Sequence, residues 1–207
     1  MISARKKHWE TIYETKNPDQ VAWTQDIPKS SLDIINSFKL PKSASIIDIG
    51  GGDSKLVDFL LDQGYTNISV LDISARALEK AKIRLGEKSK LVNWIECDII
   101  KFKPTKTYDI WHDRASFHFL TKADQISKYL AIAENHINKY LVIGSFSEHG
   151  PTKCSGLEIQ QYNVQSLVKI FNRHFEIVNS MTENHITPFS TSQNFLFCSF
   201  KKIEILK

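Results

Sequence analysis

The sequence predicts an α/β fold, a three-layer αβα sandwich on a seven-stranded, mostly parallel sheet whose last strand runs antiparallel. Three observations predict it. Short apolar runs of strand length alternate with helical apolar spacing along most of the 207 residues, and such alternation implies parallel strands joined by right-handed crossovers, with helices on both faces. Two strand-like segments, 175–180 and 194–200, close the chain with no helical pattern between them, which reads as a hairpin. The length suits one sizeable domain and leaves little for a second.

The elements follow in order. Ser45–Ile49 is an apolar strand that stops at Gly50-Gly51-Gly52. Residues 55–63 carry Leu56, Phe59 and Leu60 at helical spacing, and Gly64 is a natural C-cap. Residues 68–72 form the second strand. Ser74 caps a helix that runs to Leu85 and closes at Gly86. The third strand, 91–97, ends at Asp98, and the fourth, 108–111, ends at His112-Asp113-Arg114. Residues 123–138 read as a helix and 140–146 as an apolar strand. The loop 147–161 contains Gly150-Pro151 and Ser155-Gly156 and reads as irregular; 164–172 is helical. In front of the sandwich, Trp9 and Tyr13 share a helical face, a break follows at Asn17-Pro18, and Trp23 comes next. The chain thus divides into a helical lid or substrate segment, 1–43, and a main domain, 44–207.

Composition narrows the function. Hydrophobic residues make up 42% and charged residues 24%, as in an ordinary globular protein rather than a disordered one. No apolar run approaches the ~20 residues that cross a bilayer, so no membrane association is expected. The first ten residues are basic without an apolar stretch, unlike a secretory signal. Three cysteines, Cys97, Cys154 and Cys198, form an odd set without C-x-x-C. They suit free thiols in a reducing compartment, and hence a cytoplasmic protein. The net charge of +4 comes from scattered lysines, with Arg5-Lys6-Lys7 the one cluster. That pattern describes a solvated surface and argues against a nucleic-acid partner.

The chemistry concentrates after the first strand, in Asp48-Ile49-Gly50-Gly51-Gly52-Asp53-Ser54. Glycines there let a ligand lie against bare main chain, and the helix behind offers unpaired N–H groups. Twenty residues beyond Gly52 stands Asp72, where a nucleoside-binding α/β fold places an acid for the ribose hydroxyls. Asp98, ending the third strand, is placed to reach the exocyclic amine of an adenine. A dinucleotide-binding dehydrogenase competes with this reading, but its G-x-G-x-x-G would need Gly or Ala where Lys55 stands. Asp48 before the loop suits a ligand carrying an ammonium group, and so points to S-adenosyl-L-methionine.

Asp48-Ile49-Gly50-Gly51-Gly52 resembles the first motif of the class I S-adenosylmethionine-dependent methyltransferases, D/E-x-G-x-G-x-G, with Ser54 where the third glycine often sits. Leu71-Asp72-Ile73-Ser74 is similar to their acidic ribose motif, and Cys97-Asp98-Ile99 to their adenine motif. His8-Trp9-Glu10-x-x-Tyr13 with Val21-Ala22-Trp23 resembles the type 12 branch, some of whose eukaryotic relatives modify protein lysines. The resemblance covers nearly the whole chain and is specific for cofactor and fold, not for substrate. It implies a Rossmann-like sandwich in which Gly50, Gly51 and Gly52 pass under the methionyl part and Asp48 lies beside the amino group. Asp72 would hold the ribose, Ile73 would pack on the adenine, and Asp98 with Ile99 would fix its edge. Trp23 would close over the cofactor.

The substrate side is less determined. No [D/N]-P-P-[Y/F] follows the fourth strand, which argues against the amino-methylating classes that carry it. His112 is a candidate general base, since imidazole titrates near neutrality, and Asp113 a second catalytic candidate. Asp113 and Arg114 can equally pair or brace the N-terminal segment. Arg114, His118, His149, Cys154 and His185 are the candidate substrate contacts; His118 also reads as a packed histidine. Histidines 112, 149 and 185 lack the spacing of a metal site, and no metal is expected. A small-molecule acceptor is favoured because no recognition domain is appended. A protein side chain, or cofactor binding without catalysis, are the alternatives.

Overall fold

A computed structural model describes residues 3–204. Met1, Ile2 and residues 205–207 lie outside the described residues, and with them the outer ends of the two predicted segments.

The parallel strands are β1 (Ser45–Ile49), β2 (Asn67–Asp72), β3 (Val92–Glu96), β4 (Tyr108–Arg114) and β5 (Ile137–Phe146). Two two-residue strands, β6 (Lys153–Cys154) and β7 (Leu157–Glu158), pair only with each other; β8 (Phe175–Ile186) and β9 (Ser192–Lys202) close the chain. The main sheet has seven strands in the order β3-β2-β1-β4-β5-β9-β8, and β9 is inserted antiparallel to both neighbours. Among the described residues six α-helices accompany it: α1 (Ala4–Thr15), α2 (Lys29–Ser37), α3 (Leu56–Asp62), α4 (Ala75–Leu85), α5 (Ala123–His136) and α6 (Val164–Phe171).

Alternation along the strands divides the core. On one face Ile46, Val70 and Ile110 pack with Leu32 and Ile35 of α2, Leu60 of α3 and Leu78 of α4. On the other, Ile47, Trp111 and Leu141 pack with Tyr129 of α5 and Leu167 and Phe171 of α6. A strand covered on both faces reads as a continuous apolar run, which is why β1 is legible and wholly buried. The predicted caps of α4 are both present: the Ser74 hydroxyl accepts from the Ala77 N–H at 3.2 Å, and Gly86 ends the helix at φ +55°.

Four elements differ from expectation. β4 continues through Arg114 because it stays in register with β1, Asp48 beside His112 and Ile49 beside Asp113. The end of α5 and the start of β5 fall earlier, at His136 and Ile137, where Ile137 pairs with Tyr108. The closing hairpin is far longer than its apolar runs, joined only by residues 187–191, so His185 lies on β8 and not in a linker. Polar residues such as Asn179, Thr182 and Asn184 on the exposed edge strand conceal its extent from a hydrophobicity reading. The irregular loop after β5 contains the β6–β7 hairpin.

Candidate active site

The strands β1 to β4 end along one side of the sheet, where open α/β sheets form their ligand crevices. Gly51 lines this crevice and its N–H donates to the Leu71 carbonyl at 3.1 Å; a Cβ there would stand 2.7 Å from both Asp48 Oδ2 and Val70 Cγ1. Gly52 sits at φ +52°, and a Cβ there would stand 2.5 Å from the Tyr13 hydroxyl. Gly50, Gly51, Asp48, Asp72, Ile73, Asp98, Ile99 and Trp23 all line one cavity, whereas Gly52 turns toward Tyr13.

Asp72 is buried, and its Oδ1 accepts from the Ser74 N–H at 2.8 Å. Burial, with Asp53 and Asp48 nearby, pushes its carboxyl up to about 7. Asp98 uses Oδ1 for both the Ile100 N–H, at 3.3 Å, and Arg5 Nη1, at 3.2 Å.

Helix α1 is tied across the ends of β2 and β3. Arg5 holds Asp98 and Lys6 pairs with Glu96. Glu10 accepts from the Ser74 hydroxyl at 3.1 Å and the Ala75 N–H at 2.8 Å, which places a carboxylate on the N-terminus of α4. Trp9 meets Phe119 and Trp23 edge-on, with ring centroids 5.0 and 5.8 Å apart.

Residues 47–140 match the family model of a methyltransferase domain, type 12. That stretch runs from β1 into β5 and carries the likeness to a methyltransferase domain. Over 166 residues, 69% of the chain, it is 24% identical to the mouse eEF1A lysine and N-terminal methyltransferase. Over 77 residues, 37% of the chain, it is 34% identical to malonyl-[acyl-carrier protein] O-methyltransferase 2 of Ilyobacter polytropus. These matches span 23% and 29% of the relatives' own lengths. Among solved structures, the 1,6-didemethyltoxoflavin-N1-methyltransferase of Burkholderia thailandensis, with bound S-adenosylhomocysteine, superposes with a TM-score of 0.71 at 16% identity, covering 97% of this chain and 88% of that one.

On the β4 side of the cavity, strand parity separates the candidates. His112 and Arg114 line the cavity; Asp113, one residue between them, points to the opposite face. Asp113 accepts from the Phe117 N–H at 2.8 Å and the Tyr129 hydroxyl at 3.0 Å, fully buried, with its carboxyl pushed up to about 7 by that burial. It braces β4 against α5 and does not reach the cavity. His112 stands between two buried groups: Nδ1 is 2.7 Å from Asp48 Oδ1 and Nε2 is 2.9 Å from Ser31 Oγ. A carboxylate only accepts, so Nδ1 donates, and in the neutral ring Nε2 accepts from Ser31. Ser31 also lines the cavity. Ser31 lies on α2, and no local sequence signal singles out this serine.

The remaining candidates disperse. Arg114 Nη1 donates to the Trp23 carbonyl at 3.0 Å, and its guanidinium lies 4.7 Å from the Phe195 ring centroid. His118 is buried off the cavity, stacked on Phe146 at 4.7 Å, and burial together with Arg114 pushes its imidazole down to about 3. Cys154 is packed among Phe146, Phe195 and Phe197, and burial raises its thiol to about 11. His149 is exposed. His185 Nε2 donates to the Ala22 carbonyl at 2.7 Å, beside a second cavity that shares Pro18, Thr24, Gln25 and Lys55 with the first. Among the described residues, no group of three or more potential ligands could hold a metal, and no helix is long and apolar enough to cross a membrane.

Proposed function

We propose that this protein is an S-adenosylmethionine-dependent methyltransferase of the cytoplasm that acts on a small-molecule acceptor. The observation that carries the reading is a single cavity joining the Gly50-Gly51 turn, Asp72 and Asp98 to His112, Arg114 and Trp23 at the ends of four strands. The residues fit the cofactor. Bare main chain at Gly51 lies where a Cβ would collide with Asp48 and Val70. Asp72 offers a carboxylate for the ribose hydroxyls. Both hydrogen bonds of Asp98 fall on Oδ1, so Oδ2 is available to an adenine amine. Ile73 and Ile99 supply apolar contact for the base, and Asp48 faces the ammonium end.

When bound, S-adenosylmethionine supplies a methyl group on a sulfonium, already activated for displacement. The chain therefore needs chiefly to orient the acceptor and exclude water. Trp9, Trp23, Phe119 and Leu120 form the apolar wall that does so. The acceptor's proton is taken up by the His112–Asp48 pair, and because Nε2 is occupied by Ser31, it travels by way of the Ser31 hydroxyl. Residues 1–43 act as the lid, through the contacts of α1 with Asp98, Ser74 and Gly52. Three free cysteines support the cytoplasm.

A protein acceptor is the second reading, favoured by the mouse relative that matches 69% of the chain. Incubation with methyl-labelled S-adenosylmethionine and cell extract, followed by separation by mass, distinguishes the two. Label in the low-mass fraction supports the first reading and label in protein the second. Tight binding with no transfer to any fraction indicates a cofactor-binding regulator.

A further inference from the structure

Between α1 and α2, residues 21–28 form neither helix nor strand. Among the described residues, no backbone N–H donates to the Ala22 or Trp23 carbonyl. Side chains from the second half of the chain meet both. His185 Nε2, on β8, donates to Ala22 at 2.7 Å, and Arg114 Nη1, at the end of β4, donates to Trp23 at 3.0 Å. Nearby, Gln25 Nε2 donates to Oε1 of Glu183, also on β8, at 3.1 Å. These ties all fall within residues 22–25.

The ties share a support. Phe195 of β9 is fully buried and pairs with Glu183. The Arg114 guanidinium lies 4.7 Å from its ring centroid, and the His185 ring meets it edge-on at 6.0 Å. Burial and the Arg114 charge hold His185 toward its neutral form, in which one ring nitrogen carries the proton. With that proton on Nε2, the ring donates to Ala22. Both donors therefore stand on paired strands against one aromatic ring, whereas the segment they hold has no backbone ladder of its own.

What they hold is a wall. Pro18, Thr24 and Gln25 line both cavities, so the segment stands between the two. Trp23 lines the first, its indole edge-on to Trp9 at 5.8 Å and to Tyr13 at 6.3 Å. Ordering an irregular segment costs conformational entropy for each residue fixed. Side-chain ties that offset this cost before a ligand arrives preorganise the site.

We propose that His185 and Arg114 are positioning residues: by holding the Ala22 and Trp23 carbonyls they fix the Trp23 indole as a wall of the cofactor cavity. Neither touches the cofactor; both act through Trp23. This rests on the methyltransferase reading, because it takes the first cavity as the cofactor's.

The test is a double-mutant cycle on the full chain, read by titration of S-adenosylhomocysteine. Trp23→Ala and His185→Ala should each weaken binding about 3–10-fold. In the double variant the losses should not add, since removing the support costs little once the indole is gone. His185→Gln, whose amide can donate to the same carbonyl, should restore most of the affinity. Arg114→Gln should behave as His185→Ala does; if it does not fold, the His185 cycle decides. Fluorine NMR of fluorotryptophan-labelled protein gives a second reading that needs no ligand. The Trp23 resonance, assigned by its loss in Trp23→Phe, should shift or broaden in His185→Ala and return in His185→Gln. The Trp94 and Trp111 resonances should stay in place. Additive losses overturn the proposal, because His185 would then act independently of Trp23. So does a Trp23 resonance unmoved in His185→Ala, or an affinity unchanged by either single substitution. Failure of S-adenosylhomocysteine to bind the wild type is a different result. It removes the methyltransferase reading and the role assigned to the indole, while the fluorine spectra still decide whether His185 holds the segment.

Discussion

The imidazole of His112 lies 2.7 Å from the carboxylate of Asp48, across paired positions of β4 and β1. The acid at the end of β1 is thus the orienting partner of the histidine at the end of β4, and the two strand ends act as one electrostatic unit. His112→Ala leaves the buried carboxylate without its donor and should lower stability by about 1–3 kcal/mol. Ser31→Ala, which leaves the Asp48–His112 bond intact, should cost about 1 kcal/mol or less. Urea unfolding measures both. Equal losses would mean that the Asp48 contact has no special weight.

Protonation of Asp72 should be visible in cofactor binding. Its carboxyl is raised to about 7 by burial, while the ribose hydroxyls donate best to the ionised form. Affinity for S-adenosylmethionine should rise with pH and level off above 7. At pH 6, binding should release a proton, measurable as a dependence of the heat on buffer ionisation enthalpy. Asp72→Asn should abolish the release.

The same shifts set a sign for stability. Between the ordinary carboxyl range and 7, the unfolded chain has lost protons that the folded chain keeps on Asp72 and Asp113. These two groups therefore make the cofactor-free protein less stable as pH rises through that window. Asp113→Asn should flatten that part of the profile, and a profile unchanged by the substitution would contradict the assignment.

Gly52 and Tyr13 form a testable contact between the glycine loop and α1. Gly52→Ala meets both a positive φ and the Tyr13 hydroxyl, 2.5 Å from the new Cβ, and should destabilise by about 1–3 kcal/mol. Tyr13→Phe removes the hydroxyl and should recover part of that loss. A double-mutant cycle with no coupling would place α1 elsewhere in solution.

The α/β sandwich was legible because buried parallel strands such as β1 announce themselves as apolar runs, and α4 is bracketed by Ser74 and Gly86. The acids of the cavity were legible for a similar reason: Asp72 ends an apolar run, and Asp98 follows closely after another. What escaped depends on strand parity and on distant contacts. Asp113 was grouped with His112 because β4 was ended at Trp111, whereas its continuation turns alternate residues to opposite faces. Ser31 reaches His112 across 81 positions, a separation no local pattern reports. The extent of β8 was hidden by its polar, exposed edge.

The thiols should divide by burial. Cys97 is partly exposed and lines the cavity, whereas Cys154 and Cys198 are buried with thiols raised to about 11 and about 12. An aromatic disulfide reagent at pH 8 should therefore label Cys97 alone in the native protein and all 3 cysteines after denaturation. S-adenosylhomocysteine should slow the native reaction. Rapid labelling of Cys154 would instead mean that the loop after β5 opens readily.

Direct titration of S-adenosylmethionine into the folded chain bears most heavily on the function proposed here. One site is expected, with a dissociation constant in the range of about 1 μM–1 mM typical of enzyme ligands. Asp72→Ala, shown to be folded by circular dichroism, should weaken it about 10–100-fold through loss of a charged hydrogen-bond acceptor. A folded wild-type chain that gives neither heat nor thermal stabilisation with millimolar cofactor would contradict the assignment.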